Sequence, residues 1–198
     1  HGVFKDMNDA IEAAKAAQKV VRNMSLDQRE KIISVIRRKT HENCEVLANM
    51  GVNETGMGNV GDKILKHKLT ADKTPGTEDL STIAWSGDRG LTLVEMGPFG
   101  VIGAITPATN PSETVICNSI GMIAGGNTVV FNPHPNAKKT TIFTINMINE
   151  ASLEAGGPDN IACTVEVPTM ETSDIMMKHK DIPLLVATGG PGVVTAVL

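Results

Sequence analysis

Four polar side chains follow a run of β-branched residues near the middle of the chain. They are Thr106, Thr109, Asn110 and Ser112, and the run begins at Val101. In open α/β sheets, ligands bind just beyond the carboxyl ends of the strands. Hydroxyl and amide groups in such a turn can hydrogen-bond a ligand. The sequence therefore predicts a ligand site at the turn between residues 106 and 112.

A second candidate turn, TGGPG, runs from Thr188 to Gly192 and follows the apolar run PLLVA. Because glycine has no side chain, the backbone N–H groups of Gly189 and Gly190 can approach a ligand closely. A helix is predicted to start near Val193, and the positive end of a helix favours phosphate. Similar patterns occur in many plain turns, so the motif alone predicts either a phosphate-binding turn or a structural one. The GxGxxG spacing occurs once, as GMGNVG at residues 56–61, but it lies between two predicted helices rather than after a strand, so it does not match the fingerprint of the usual dinucleotide fold.

Signatures of metal binding and of serine nucleophiles are also absent. The five histidines and three cysteines lack ligand spacing, and no GxSxG motif occurs. Three widely spaced cysteines, Cys44, Cys117 and Cys163, are typical of free thiols in a reducing compartment. Free cysteines are commonly buried as small hydrophobic residues, so none of the three is predicted to be a nucleophile.

The two turns belong to a segment in which strand and helix patterns alternate. From Gly97 to Phe131 the only formally charged residue is Glu113, so the strand before the first turn must be covered on both faces, as in a parallel sheet. Further strands are predicted at 127–131, 161–165 and 183–187, and helices at 138–155 and 170–180. Two prolines predict a loop at 132–136. This rhythm indicates a doubly wound α/β domain.

The first 75 residues are predicted to be mostly helical, with helices at 6–24, 25–39, 42–54 and 59–72. Ser25 opens a capping box with Gln28. His41, His67 and the lysines between residues 63 and 68 are predicted to lie on solvated faces. Residues 75–88 are predicted to be a connector in which Trp85 is a packing anchor, and residues 90–95 a strand.

Composition excludes several classes of protein. Apolar residues make up 41% and charged residues 20%, as in ordinary soluble globular proteins. A net charge of −4, without basic clusters among aromatics, argues against nucleic-acid binding. No apolar run approaches the roughly 18 residues that span a bilayer, so no membrane partner is predicted. The chain begins at His1 and stops soon after a glycine-rich turn, so we expect a piece of a longer protein.

Five motifs, in this order along the chain, resemble the aldehyde dehydrogenase superfamily, and most closely its CoA-acylating branch, the acetaldehyde and propionaldehyde dehydrogenases of ethanolamine and propanediol utilisation. They are the helical region ETGMG with DKILKHKL, then EMGPFGVIGAITPATNPSETVICN, GNTVVFNPHPNAKKT, GGPDNI and LLVATGGPG. The resemblance implies one truncated α/β domain, with N-terminal helices in 1–90 and a nonstandard Rossmann-like cofactor-binding part in 91–198. The catalytic domain and its cysteine would lie outside this chain, which alone should be inactive.

The resemblance also implies a reaction and its participants. A short-chain aldehyde, CoA and NAD would give acyl-CoA and NADH through a cysteine thioester, with NADP not excluded as cofactor. The complete protein would be a homo-oligomer in the cytoplasm or inside a bacterial microcompartment, where it could contact the shell. Two alternatives stay open: another aldehyde dehydrogenase branch, and a non-catalytic nucleotide-binding module.

Two residues are implied to be catalytic. Hydrolytic relatives carry an oxyanion-binding Asn in a Pro-aromatic-Asn-aromatic-Pro turn, and the turn here is PATNP. Aligned without a gap, Thr109 takes the Asn position and Asn110 follows it. Either could stabilise the oxyanion, and Asn110 is favoured because an amide is the better donor. In the alternative interpretation Asn110 only caps the next helix, a role for which Ser112 competes.

The cofactor loop departs from the family pattern. Hydrolytic relatives bind the adenosine ribose with the Lys and Glu of Lys-Pro-x-Glu, where this chain reads NPHP. The preference between NAD and NADP is therefore open, and His134 either contacts the cofactor or CoA or is a simple loop residue. The residues implied to bind the cofactor are Thr106, Pro107, Ala108, Asn132, Pro133, His134, Thr188, Gly189 and Gly190.

Overall fold

Five parallel strands form the central sheet of the computed structural model, which describes residues 1–197. Two further strands form a separate hairpin. In chain order the described strands are β1 (Val3–Phe4), β2 (Ile83–Gly87), β3 (Gly90–Val94), β4 (Val101–Thr106), β5 (Thr128–Pro133), β6 (Ala162–Val165) and β7 (Leu184–Ala187). The hairpin consists of β2 and β3. The helices are α1 (Met7–Val21), α2 (Leu26–Thr55), α3 (Val60–Lys73), α4 (Pro111–Ala124), α5 (Lys138–Glu154), α6 (Met170–Lys178) and α7 (Pro191–Val197), with 3-10 turns at Thr77–Asp79 and Pro135–Ala137.

The sheet has the strand order β1-β6-β5-β4-β7 and is covered by helices on both faces. Alternating residues of β5 enter two separate cores, because side chains of a strand point to opposite faces. Val129 and Phe131 pack with α2, α4 and α5, whereas Val130 packs with α1 and α6. The predicted doubly wound α/β fold is therefore confirmed. β1, a two-residue strand that pairs with β6, was not predicted. The division of the chain at residue 90 stays a prediction.

One 30-residue helix, α2, replaces the two predicted at 25–39 and 42–54. The segment between them contains neither glycine nor proline, and Thr40 is buried with its hydroxyl donating to the Ile36 carbonyl at 2.8 Å. The buried stripe continues through Cys44 and Leu47, so packing carries the helix across the predicted break. The predicted capping box is confirmed, with Ser25 accepting from the Gln28 N–H.

The predicted connector at 75–88 contains a strand, which pairs with β3 as an antiparallel hairpin. Trp85 is 58% exposed in this hairpin, so its prediction as a packing anchor is wrong for the described residues. Every residue of both strands is exposed. The hairpin is a separate two-stranded sheet, because neither of its strands pairs with a strand of the central sheet.

The predicted loop at 132–136 is wrong in its first two residues, which complete β5. The N–H of His134 donates to the Thr106 carbonyl on β4 at 3.1 Å, so the N–H position of Pro133, one residue earlier, faces β6. Pairing with β6 ends at Phe131 and Thr164. Because β6 does not pair at the position of Pro133, the missing N–H of the proline costs no hydrogen bond, and a proline can end β5. Among the described residues, no helix is long and apolar enough to cross a membrane.

Candidate functional site

A cavity of about 790 Å³ lies at the carboxyl ends of β4, β5 and β7. Its volume is within the usual range for sites that bind cofactors and small molecules. All eleven predicted site residues line it together: Thr106, Pro107, Ala108, Thr109, Asn110, Asn132, Pro133, His134, Thr188, Gly189 and Gly190. Their proximity is a finding, whereas their individual roles stay predictions.

Strand register brings these residues together. Thr106 of β4 pairs with Pro133 of β5, and Ile105 pairs with Ala187 of β7, so three turns leave the sheet at one level. The Thr106 side chain is 2% exposed, and its hydroxyl has no hydrogen-bond partner among the described residues. Because a buried polar group without a partner is costly, this hydroxyl is suited to a ligand in the cavity.

One wall of the cavity was not predicted from the sequence. Residues on and before α6 contribute it: Pro168, Thr169, Met170, Ser173 and Met177. They follow β6 and therefore lie at the same edge of the sheet as the two predicted turns. Two signals were available, the position after a strand and the polar run ETSD at 171–174, but the segment carries no glycine pair and was predicted only as a helix.

A side chain of α6 holds the end of β5, and the loop after β5 is held by a hydrogen bond of its own. The Thr172 hydroxyl donates to Asn132 Oδ1 at 2.8 Å, which holds a side chain that is 6% exposed. The N–H of Asn136 donates to His134 Nδ1 at 3.1 Å. A neutral imidazole that accepts at Nδ1 carries its proton on Nε2. His134 can therefore offer an N–H donor at the cavity.

Asn110 immediately precedes α4 but makes no capping hydrogen bond with its side chain. Its Oδ1 instead accepts a hydrogen bond from Lys66 of α3 at 3.2 Å. Ser112, the predicted competitor for the cap, lies inside α4 and pairs with His67. The capping alternative for Asn110 therefore fails, and the amide is available for another role.

Two residues of α3 predicted to be solvated are buried instead. Lys63 is 3% exposed and His67 is fully buried, whereas His41 is exposed as predicted. Lys63 Nζ lies 3.3 Å from Glu113 Oε1 and donates to the Thr109 carbonyl at 3.0 Å. A buried charge needs partners of this kind. They are provided by α4 and the turn before it, which are far from α3 in the sequence.

His67 lies in a buried hydrogen-bond chain. Its Nδ1 is 2.7 Å from the Lys63 carbonyl, which can only accept, so Nδ1 carries a proton. Its Nε2 is 2.7 Å from the Ser112 hydroxyl, the donor when the ring is neutral. Burial lowers the pKa of His67 below the ordinary value of 6.5; the nearby charge of Lys63 acts in the same direction, while Glu113 opposes it.

None of the three cysteines lines the cavity at the ends of β4, β5 and β7, which is called the main cavity below. Cys44 and Cys163 are buried, and burial raises the pKa of the Cys163 thiol far above its ordinary value. Cys117 is exposed in a shallow groove between α3 and α4, lined also by Lys66, Asn110 and Glu113. A nucleophile must be a thiolate beside its substrate, so these residues do not supply one to the cavity.

The chain matches the model of the aldehyde dehydrogenase family over residues 2–198. An acetaldehyde dehydrogenase (acetylating) of Bilophila wadsworthia is 50% identical over 98% of this chain and 40% of its own length. A propionaldehyde dehydrogenase from the Clostridium phytofermentans fucose utilisation bacterial microcompartment has a solved structure with 76% identity and a TM-score of 0.98, over 99% of this chain and 45% of that one.

A solved relative carries a ligand. The propionaldehyde dehydrogenase of Rhodopseudomonas palustris with bound propionyl-CoA is 49% identical, with a TM-score of 0.96 over 99% of this chain and 44% of its own. The chain thus spans less than half the length of each of these relatives.

Proposed function

The chain belongs to the aldehyde dehydrogenase family, and we propose that it is the N-terminal, cofactor-binding part of a CoA-acylating aldehyde dehydrogenase. The complete protein would convert a short-chain aldehyde, CoA and NAD into acyl-CoA and NADH. A cysteine thiolate outside this chain would attack the aldehyde, and CoA would release the acyl group from the resulting thioester. The observation that carries the proposal is the cavity at the strand ends, in a chain so similar to acylating relatives.

The cavity fits a nicotinamide cofactor in size and chemistry. The unpartnered Thr106 hydroxyl supplies a hydrogen-bonding group, and Thr188, Gly189 and Gly190 also line the cavity. No Cβ restricts approach at Gly190, where an added methyl group would meet no atom within 4 Å. The cofactor supplies a hydride acceptor when bound, and the residues of this chain orient it and exclude water.

Asn110 is proposed to stabilise the oxyanion that develops on the aldehyde oxygen, with Thr109 as the alternative donor. Both residues line the cavity, and the amide of Asn110 is not engaged in capping α4. Removal of one oxyanion donor typically costs about 10²–10³ in turnover. Asn110→Ala should therefore lower turnover in the complete protein far more than it lowers cofactor affinity. Loss of cofactor binding, with turnover per bound cofactor unchanged, would contradict the role.

Exposed apolar strands support the proposal that the complete protein is a homo-oligomer. Trp85, Leu91 and Leu93 of the β2–β3 hairpin are 58–64% exposed. A two-stranded hairpin is marginally stable alone, so these side chains call for a covering surface. A second copy of the protein is the proposed cover. A microcompartment location within the cytoplasm is proposed because a 76% identical relative comes from such a compartment.

The activity of the complete protein tests the proposed function. NADH formation from acetaldehyde and from propionaldehyde should require CoA and yield the corresponding acyl-CoA. Parallel assays with NAD and NADP would determine the cofactor preference, which the NPHP loop leaves open. Acid production without CoA would favour another branch of the family, and cofactor binding without turnover would favour a non-catalytic module.

A further inference from the structure

We propose that Lys66 is a positioning residue, which fixes the Asn110 side chain so that its NH₂ group, rather than its oxygen, faces the main cavity. The proposal deepens the proposed function, because it rests on the oxyanion role of Asn110. Lys66 does not line the main cavity; it lies in the shallow groove, where its ammonium group donates to Asn110.

The chemistry of the contact determines which end of the amide is free. Lys66 Nζ lies 3.2 Å from the side-chain carbonyl of Asn110. An ammonium group has only donors, so it selects the amide oxygen as its partner. The NH₂ group is then directed away from Lys66, and it donates no hydrogen bond within the described part of the chain. Only this orientation offers a donor to a developing negative charge, since the opposite one would present the carbonyl oxygen.

The location of Asn110 makes this orientation relevant to the cavity. Asn110 is half-buried and lines both the main cavity and the shallow groove between α3 and α4, whereas Lys66 lines only the groove. The lysine therefore holds the amide from the groove rather than from the main cavity. Asn110 contributes no cap to α4, so this hydrogen bond is what orients its side chain.

The same helix also fixes the backbone of the turn. Lys63 and Lys66 are three residues apart and thus share a face of α3. Lys63 donates to the Thr109 carbonyl at 3.0 Å and is itself held by Glu113 at the start of α4. One lysine thereby holds the peptide before Asn110, and the other holds its side chain. Residues of α3 therefore hold both the backbone before Asn110 and the side chain that carries the amide.

The contribution of Lys66 should be to turnover rather than to stability. Lys66 is exposed, and hydrogen bonds of exposed lysines add little to folding. Without the contact, the Asn110 amide can rotate about its terminal torsion, which is broad and roughly two-fold. Turnover then scales with the fraction of molecules whose amide is correctly oriented, and we expect a threefold to tenfold fall, which corresponds to the correct orientation in about a third to about a tenth of them.

Steady-state kinetics of the complete protein would test the proposal. Lys66→Met should lower kcat about threefold to tenfold while leaving KM for the nicotinamide cofactor unchanged, because the lost interaction is one made in the transition state. Lys66→Arg retains a donor and should restore most of the turnover. Lys68→Met, at an exposed lysine of the same helix that lines neither cavity, is the matched control and should behave as wild type. A wild-type kcat for Lys66→Met would overturn the proposal.

A double-mutant cycle separates positioning from any independent effect of the charge. If Lys66 acts through Asn110, adding Lys66→Met to Asn110→Ala should cause no further loss of turnover. An equal loss in both backgrounds would overturn the proposal. If Asn110→Ala impairs only cofactor binding, the oxyanion role fails. In that case the cofactor affinities of the two single variants and the double variant are compared instead. Non-additive effects of the two substitutions on affinity would still show that Lys66 acts through Asn110.

Discussion

His67 is a fully buried titratable residue, and its two hydrogen bonds can be made by a neutral ring, with the Ser112 hydroxyl as the donor to Nε2. The charged groups facing it are Lys63 on its own helix and Glu113 on α4, which act in opposite directions on its pKa. Burial is the largest cause and lowers the pKa below 6.5. The folded protein therefore resists protonation at a pH where the unfolded chain accepts it.

Stability should fall on acidification for this reason. As pH drops through about 6.5, the unfolded chain takes up a proton at His67 before the folded chain does, so the unfolded state is favoured. Above this pH both states are neutral and the contribution is fully present. Urea unfolding of the chain between pH 7.5 and about 5 should show the decline. His67→Gln should flatten it, whereas His41→Gln, at an exposed histidine, should retain it. An unaltered slope in His67→Gln would contradict the prediction.

At the scale of elements, a side chain of one helix caps another. Glu54, at the end of α2, accepts hydrogen bonds at the start of α5 from the N–H of Lys139 at 2.7 Å, and from the N–H and hydroxyl of Thr140 at 2.8 and 2.7 Å. The residue at the cap position of α5 is Ala137, which has no capping side chain. A carboxylate there satisfies unpaired donors and complements the helix dipole.

Glu54→Ala should therefore destabilise the protein by about 1–2 kcal/mol, the usual cost of losing a helix cap. Glu54→Gln should cost less, because one oxygen still accepts. The free energy of unfolding measured in urea provides the comparison, with Glu45→Ala on the exposed face of α2 as the control. Equal shifts for the substitutions at 54 and 45 would show that the contact to α5 contributes nothing.

Sequence patterns predicted those elements whose determinants are local. The capping box at Ser25 and the glycine–proline stop at 156–158 depend on neighbours within a few residues, and both mark the ends that the structure has. Burial of Lys63 depends on Glu113, fifty residues away, and the Glu54 cap on a helix more than eighty residues away. Such partners are set by packing, which periodicity does not specify.

The candidate site was predictable for a similar reason. Its predicted residues follow strands, and parallel strands end at one edge of a sheet, so a topological rule suffices to group them. The orientation of Asn110 was not predictable, since its partner Lys66 belongs to a helix that the pattern placed at the surface. Pro133 was assigned to a loop because its place in β5 depends on where β6 stops pairing.

At the scale of the whole molecule, the β2–β3 hairpin is notable because the rest of the described chain does not cover it. Register places Ile83 and Trp85 opposite Val94 and Thr92 on one face, and Leu91 and Leu93 on the other. Both faces are thus apolar and exposed. Burial of each large apolar side chain contributes about 1.5–3 kcal/mol, so a surface that covers several of them can hold an assembly together.

Substitution of the hairpin should therefore reduce the size of the complete protein in solution. Trp85→Ser combined with Leu93→Ser removes one large apolar group from each face, and light scattering after size exclusion should detect a smaller species. Val20→Ser, at a half-exposed apolar residue of α1, is the control and should leave the assembly intact. If the double variant keeps its size but unfolds at a lower temperature, the hairpin packs against the remainder of its own chain, and a second copy is not its cover.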